Sequence, residues 1–129
     1  MGAHMNIIDT DQAPAAIGTY SQATVHNGLL YLSGQIPLDP SGQMVEGDFE
    51  TQARRVFDNL QAVCAAADTR LQNALKLNIY LTDLAHFSSV NQVMSEYLQT
   101  PYPARAAVQV AALPRGAQIE IDGIIALEA

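Results

Sequence analysis

Ala74-Leu75-Lys76-Leu77-Asn78-Ile79-Tyr80-Leu81 is the stretch that decides the fold. Leu75, Leu77, Ile79 and Leu81 fall on one side of a two-residue period, and Ala74, Lys76, Asn78 and Tyr80 on the other. That alternation predicts a strand with one face on the core. Before it, Ala53, Val56, Phe57, Leu60, Val63, Cys64 and Ala67 recur at i, i+3, i+4 and i+7, which predicts an amphipathic helix with Asp48 as its N-cap. After it, Asp83 stands where a second helix needs a cap. Leu84, Phe87, Val90, Met94, Tyr97 and Leu98 supply that helix's apolar stripe, and Pro101 ends it.

Residues 7–20 contain Pro14 and Gly18 and read as extended or looped. Residues 23–33 read as a hairpin about Asn27-Gly28, a pair that tolerates positive φ at both central turn positions. The return strand, Leu29-Leu30-Tyr31-Leu32-Ser33, is largely apolar and is expected to be buried on both faces. Gly34 to Gly47 is punctuated by Pro37, Pro40 and Gly42 and reads as loop. Two final strands are expected at 105–111 and 118–127, joined by Leu113-Pro114-Arg115-Gly116. In the first, Arg105, Ala107 and Gln109 share a face. In the second, Ile119 and Ile121 oppose Glu120 and Asp122, and Gly123 is expected to mark a bulge. The order predicts an α+β domain: a mixed sheet with two helices packed on one face. Its other face is expected to hold Lys76, Asn78, Arg105, Gln109 and Glu120, meeting water or another subunit.

The chain's 129 residues are enough for one domain, expected over 5–129. Met1-Gly2-Ala3-His4 reads as a cloning remnant. No signal peptide and no bilayer-length apolar run is read, and a lone Cys64 fits a reducing cytosol, so a cytoplasmic protein is expected. Net charge is −7, which sets a nucleic-acid partner at a disadvantage. Charged residues make up 15% of the chain, against about 25% usually, and this favours burial of surface in an oligomer.

Chemistry has few places to reside. His4, His26 and His86 do not pair with Cys or carboxylates at ligand spacing, so no metal is expected. His26 reads as a solvated turn residue and His86 as a helix-surface residue. No nucleophile elbow, phosphate loop or dinucleotide fingerprint is present. Cys64 lies on the apolar stripe and reads as an inert core thiol. Of the six cations, Arg54 and Arg55 read as the wet side of a helix, Arg70 and Arg115 as loop residues, and only Lys76 and Arg105 fall on strands. A guanidinium on a stiff element suits a two-pronged grip on a carboxylate. Glu120 is the carboxyl to set beside it. Simple hairpin geometry would place Gln109 opposite Glu120 and Arg105 about 13 Å along the strand. Two readings stay open: a cross-strand ion pair, or a cleft with a small anion between the two groups. Lys76 fits an ion pair or a central channel as well as a site.

Several motifs resemble the RidA (YjgF) family of reactive-intermediate imine deaminases. They are Ala15-Ala16-Ile17-Gly18-Thr19-Tyr20-Ser21-Gln22, Ser33-Gly34-Gln35-Ile36-Pro37-Leu38-Asp39, Gln52 and Asn59, Leu81-Thr82-Asp83, Asn91, Pro103-Ala104-Arg105 and Ile119-Glu120-Ile121. The similarity runs from about residue 7 to the C-terminus. It implies a chorismate-mutase-like fold, a homotrimer with sites between subunits, and cofactor-independent hydrolysis of 2-aminoacrylate and the related 2-iminopropanoate and 2-iminobutanoate to 2-keto acids and ammonia, a form of metabolite damage control. It implies that Arg105 holds the substrate carboxylate and Glu120 activates water. Gly34 offers backbone groups, while Tyr20, Asn91 and position 107 line the cleft. Ala107 stands where many relatives have Cys, Thr19 replaces a usual Pro, Asp68 a Gly, and Asp122-Gly123 the common Glu-Ala; the loop from Thr100 to Pro103 also looks short. A non-catalytic trimer binding small carboxylates is the rival expectation. A chorismate mutase would want more converging cations than this chain has.

Overall fold

The computed structural model describes residues 5–128, so the expected cloning remnant at 1–4 lies outside them. Its elements are β1 (Asn6–Ile8), β2 (Ala23–His26), β3 (Leu29–Gln35), α1 (Phe49–Ala66), β4 (Ala74–Leu81), α2 (Phe87–Tyr97), β5 (Ala104–Gln109) and β6 (Ile119–Ala126). They form one six-stranded sheet in the order β1-β2-β3-β6-β4-β5. Every pairing is antiparallel except β4 with β5, which run parallel with α2 as the crossover. Asn27 and Gly28 have φ of 51° and 79°, as the tight turn between β2 and β3 requires.

The core lies between the sheet and the two helices. Leu30 and Leu32 of β3, Leu77, Ile79 and Leu81 of β4, and Ile119, Ile121 and Ile125 of β6 meet Val56, Phe57, Leu60 and Val63 of α1 and Val90, Val93 and Met94 of α2. Asp48 caps α1 by accepting the Thr51 N–H at 2.9 Å. Asp83 caps a short 3-10 turn, Leu84–His86, from which α2 continues. Cys64 is fully buried, and desolvation pushes its thiol up to about 12. His86 is less solvated than expected, because its ring stacks on Phe49 at 4.1 Å. Arg54 is not simply wet: it grips Glu96 of α2 through two 2.9 Å bonds. Among the described residues no helix is long and apolar enough to cross a membrane.

The structure corrects four further expectations. The last two strands do not pair, since β6 inserts between β3 and β4 and leaves β5 at the edge. The reason is composition. The buried isoleucines of β6 need neighbours on both sides, whereas β5 carries Arg105, Gln109 and alanines that an edge tolerates. Nor is β3 buried on both faces: Tyr31 is 41% exposed while Leu30 and Leu32 are buried. Leu84 misses the apolar stripe, because the tighter 3-10 turn carries it outward. Finally, Leu75 does not point inward with Leu77 but is 50% exposed. Ala74 pairs with Ile125 and Lys76 with Ile124, so Leu75 is an extra residue bulged out of the ladder.

Gly123 explains the irregularities around it. The bulge on β4 sits beside it, and β3 shifts register on its other side, between Leu32 and Gln35. A Cβ on Gly123 would lie 2.6 Å from the Lys76 carbonyl oxygen and 2.7 Å from Leu77 Cδ2. The need is for space, in the strand that holds the sheet together. Gly123→Ala is expected to cost about 2–3 kcal/mol, read as a lower urea midpoint at unchanged slope, while Leu75→Lys stays within about 0.5 kcal/mol of the parent.

Candidate active site

Two hollows carry the residues that the sequence singled out, on opposite faces of the sheet. β5 pairs with β4 so that Leu77 meets Arg105, Ile79 meets Ala107 and Leu81 meets Gln109. These residues therefore share the helix side. Arg105 does not share the open face with Glu120, which corrects the expected arrangement. Gln109 is on the helix side too, where its Oε1 accepts the Leu84 N–H at 2.9 Å. With β4 between β5 and β6, the pairing of Gln109 with Glu120 falls away.

The first hollow, about 530 Å³, is lined by Asn91, Met94, Ser95, Tyr102, Pro103 and Arg105. One helical stripe, Phe87, Asn91 and Met94 at i, i+4 and i+7, gives the hollow two of its lining residues and Arg105 its three contacts. Arg105 Nη1 donates to Asn91 Oδ1 and lies 3.8 Å from Met94 Sδ, and the guanidinium carbon stands 5.1 Å from the centre of the Phe87 ring. Among the described residues no carboxylate lies within ion-pair distance of Arg105. Its charge is held by an amide oxygen and a ring face, with N–H groups left for a ligand. Ala107 is half-buried on the same side, two residues farther along.

The second hollow, about 500 Å³, includes Ile17, Tyr20, Gly34, Gln35, Arg115 and Glu120 in its lining. Gly34 lies inside β3, not in the loop expected to begin there. A Cβ at that position would collide with the Glu120 carboxyl, so the missing side chain makes room for the acid. Tyr20 is 54% exposed on a segment pinned from beneath by Gln22. Gln22, 2% exposed, accepts the Thr10 N–H at 2.8 Å and donates to Pro14 O at 2.8 Å. Arg115 reaches the hollow from a residue with φ 58° and donates to Gly42 O at 2.8 Å.

Glu120 is held above its ordinary carboxyl value, first by burial and then by the charge of Asp122. Asp122 accepts from Asn78 Nδ2 at 2.8 Å and from the Tyr80 hydroxyl at 3.1 Å. Tyr80, directly across β4 from Glu120, is itself raised by burial and by this bond. Among the described residues no three His, Cys, Asp or Glu side chains gather as a metal site would need.

The Endoribonuclease L-PSP family model matches residues 10–127. The chain belongs to the RidA (YjgF) family. A "2-iminobutanoate/2-iminopropanoate deaminase" of Bos taurus is 45% identical over 119 residues, 92% of this chain and 87% of that protein. Family members carry other names as well: "Protein DfrA" of Myxococcus xanthus is 52% identical over 120 residues, 91% of this chain and 92% of that one. The crystal structure of RidA from the Antarctic bacterium Psychrobacter sp. PAMC 21119 superposes with a TM-score of 0.91 at 49% identity, covering 95% of this chain and 99% of that one. The mixed six-stranded sheet with two helices is thus the fold of this family.

Within this RidA-family chain, the singled-out residues divide between the two sides of the sheet. Arg105, Asn91 and Ala107 gather on the helix side, and Tyr20, Gly34 and Glu120 on the other. Sequence reading missed Phe87 as a site residue because it also fits the apolar stripe. It missed Met94 for the same reason, and Tyr102 for want of any periodic signal. The Asp122–Asn78–Tyr80 group was visible in principle, since the alternation of β4 and β6 already put all three on one face. Glu120 yields a prediction of sign. A carboxyl raised in the fold contributes stability at low pH that is lost as pH rises through its folded value. Glu120→Gln is therefore expected to raise the melting temperature at pH 7 by about 1–2 °C, discounted for partial exposure, with the gain shrinking towards pH 4.

Proposed function

We propose that this chain hydrolyses small 2-imino and 2-enamine acids to 2-keto acids and ammonia, in a homotrimer whose sites lie between subunits. The observation that carries the reading is Arg105, a guanidinium in an open hollow with no acidic partner among the described residues. It is suited to a small carboxylate, which its fork grips in a fixed plane. Glu120, on the opposite face of its own chain, is out of reach of that ligand, so a neighbouring protomer supplies the carboxyl. The name of the bovine relative supports the substrate class.

The chemistry asks little of the protein. A protonated imine carbon is already electrophilic, and catalysis consists in fixing the anion and placing one water about 3–3.5 Å from that carbon. Glu120 takes a proton from the water as the C–O bond forms and the C=N electrons move to nitrogen. The carboxyl then returns the proton to nitrogen. The C–N bond breaks and ammonia leaves as the hydroxyl becomes the ketone, its proton passing to the Glu120 carboxylate and on to the released ammonia. A raised carboxyl is a stronger base than an ordinary one and holds the proton long enough to give it back. Phe87 and Asn91 fix the guanidinium, while Tyr20 and Gly34 shape the acid's side of the cleft.

The endoribonuclease reading in the family model's name meets a chain of net charge −7, a poor surface for a phosphate backbone. A trimer that only binds small carboxylates has one observation in its favour: the Arg105 hollow is formed without Glu120. Keto-acid release from a serine or threonine dehydratase reaction, with and without this protein, decides between them. Acceleration is expected, falling roughly 10²-fold or more in Arg105→Ala and in Glu120→Gln, the latter with ligand binding kept. Co-assembled Arg105→Ala and Glu120→Gln chains should regain about a quarter of full activity, because one site in four draws both intact groups from different chains. No acceleration by the parent protein would remove the deaminase reading, and no regain on mixing would remove the shared site.

A further inference from the structure

Glu120 has a second carboxyl beside it. Asp122 lies two residues farther along β6, on the same face and about 7 Å away. Both its oxygens are engaged, one by Asn78 directly across β4 and one by Tyr80, which reaches diagonally from its place opposite Glu120. The side chain therefore cannot swing away. Other groups around Glu120 do not offset it. Gly34 brings no charge from β3. Arg115 lines the same hollow with its guanidinium held at the Gly42 carbonyl, and the influences that act on Glu120 are burial and Asp122. Lys76 sits opposite Ile124, four residues along β6 from Glu120, and Arg105 belongs to the other side of the sheet.

A purely structural role does not need the charge. An asparagine at 122 would accept the same bond from Asn78 and could donate to the Tyr80 oxygen, tying β4 to β6 equally well. The anion is the part of this network that the fold leaves unexplained. We propose that Asp122 is a positioning residue for imine hydrolysis: clamped by Asn78 and Tyr80, it keeps a fixed negative charge beside Glu120, so that this carboxyl accepts the proton of the attacking water and returns it to the departing nitrogen. The inference rests on the deaminase reading above and adds to it a residue that strengthens its base. The upward displacement of Glu120 has burial as its first cause and Asp122 as its second, in keeping with that role.

Asp122→Asn separates charge from shape. The acid-side midpoint of the kcat–pH profile is expected to fall by about half a unit, with KM within twofold of the parent and the melting temperature not lowered. Asp122→Glu, which keeps the charge, should hold the midpoint near the parent value. A ¹³C titration of the Glu120 carboxyl should show the same downward movement without recourse to turnover. Should Asp122→Asn fail to fold, Asp122→Ser, which still offers Asn78 an acceptor, gives the same readouts. An unmoved carboxyl titration, or an unmoved acid limb alongside an inactive Glu120→Gln, overturns the proposal. Full turnover in Glu120→Gln is a different result: it removes the deaminase reading itself, and the role of Asp122 with it.

Discussion

The two-residue period of a strand, acting through three neighbouring strands, governs everything this molecule can do. β4 puts Leu77, Ile79 and Leu81 on the core, and its pairings carry that assignment sideways. Parallel to it, β5 must send Arg105 to the helix side. Antiparallel to it, β6 must send Glu120 to the open side. Moving Glu120 to the other face would slip β6 by one residue and turn Ile119, Ile121 and Ile125 into water, while Arg105 follows from the pairing of β5 with β4. The separation of the guanidinium from the acid is thus a consequence of burying the core. On the proposed reading, a second copy is what brings the two together.

That separation also marks the limit of what the residues reveal by themselves. Local periodicity was enough for both helices, for the β2–β3 hairpin and for the faces of β4 and β6, because each rests on neighbours within a few positions. Pairing is a long-range choice. Treating the two terminal strands as a hairpin was the natural local inference, yet β6 prefers the centre because Ile119, Ile121 and Ile125 have more to bury than anything in β5. The difference in apolar content between the two strands outweighs loop length. Leu75 shows the same limit on a smaller scale. Perfect alternation points Leu75 inward, but the ladder skips it beside Gly123, where the strands approach too closely for a Cβ.

The candidate site was legible to a different depth on each side. Arg105 and Glu120 stood out because this chain has few charges on strands, and the family resemblance added Tyr20, Gly34 and Asn91. Phe87 stayed hidden because one apolar stripe serves both core and cleft: Val90, Val93 and Met94 are buried, while Phe87, a turn earlier, lies at the rim over the guanidinium. Helical spacing cannot distinguish a ring that packs inward from one that meets a cation. The distinction depends on which strand ends beneath that turn.

On the proposed reading Arg105 is kept for a ligand, and its open hollow and its partners support that. In a chain of net charge −7, carboxylates are plentiful partners. Arg54 takes Glu96, and Arg70 takes Glu128. Arg55 donates to Asn59, the amide that pins the loop after β3, and Arg115 to the Gly42 carbonyl. Arg105 is given Asn91, Met94 and Phe87 instead, a set that orients a guanidinium without neutralising it. Glu120 is treated in the complementary way, with burial and a clamped like charge both opposing its ionisation. Each arrangement forgoes stability where an ion pair or a neutral side chain would have been easier. Together they leave an unmatched cation and a strengthened base, which is what addition of water to the C=N bond of a small acid requires.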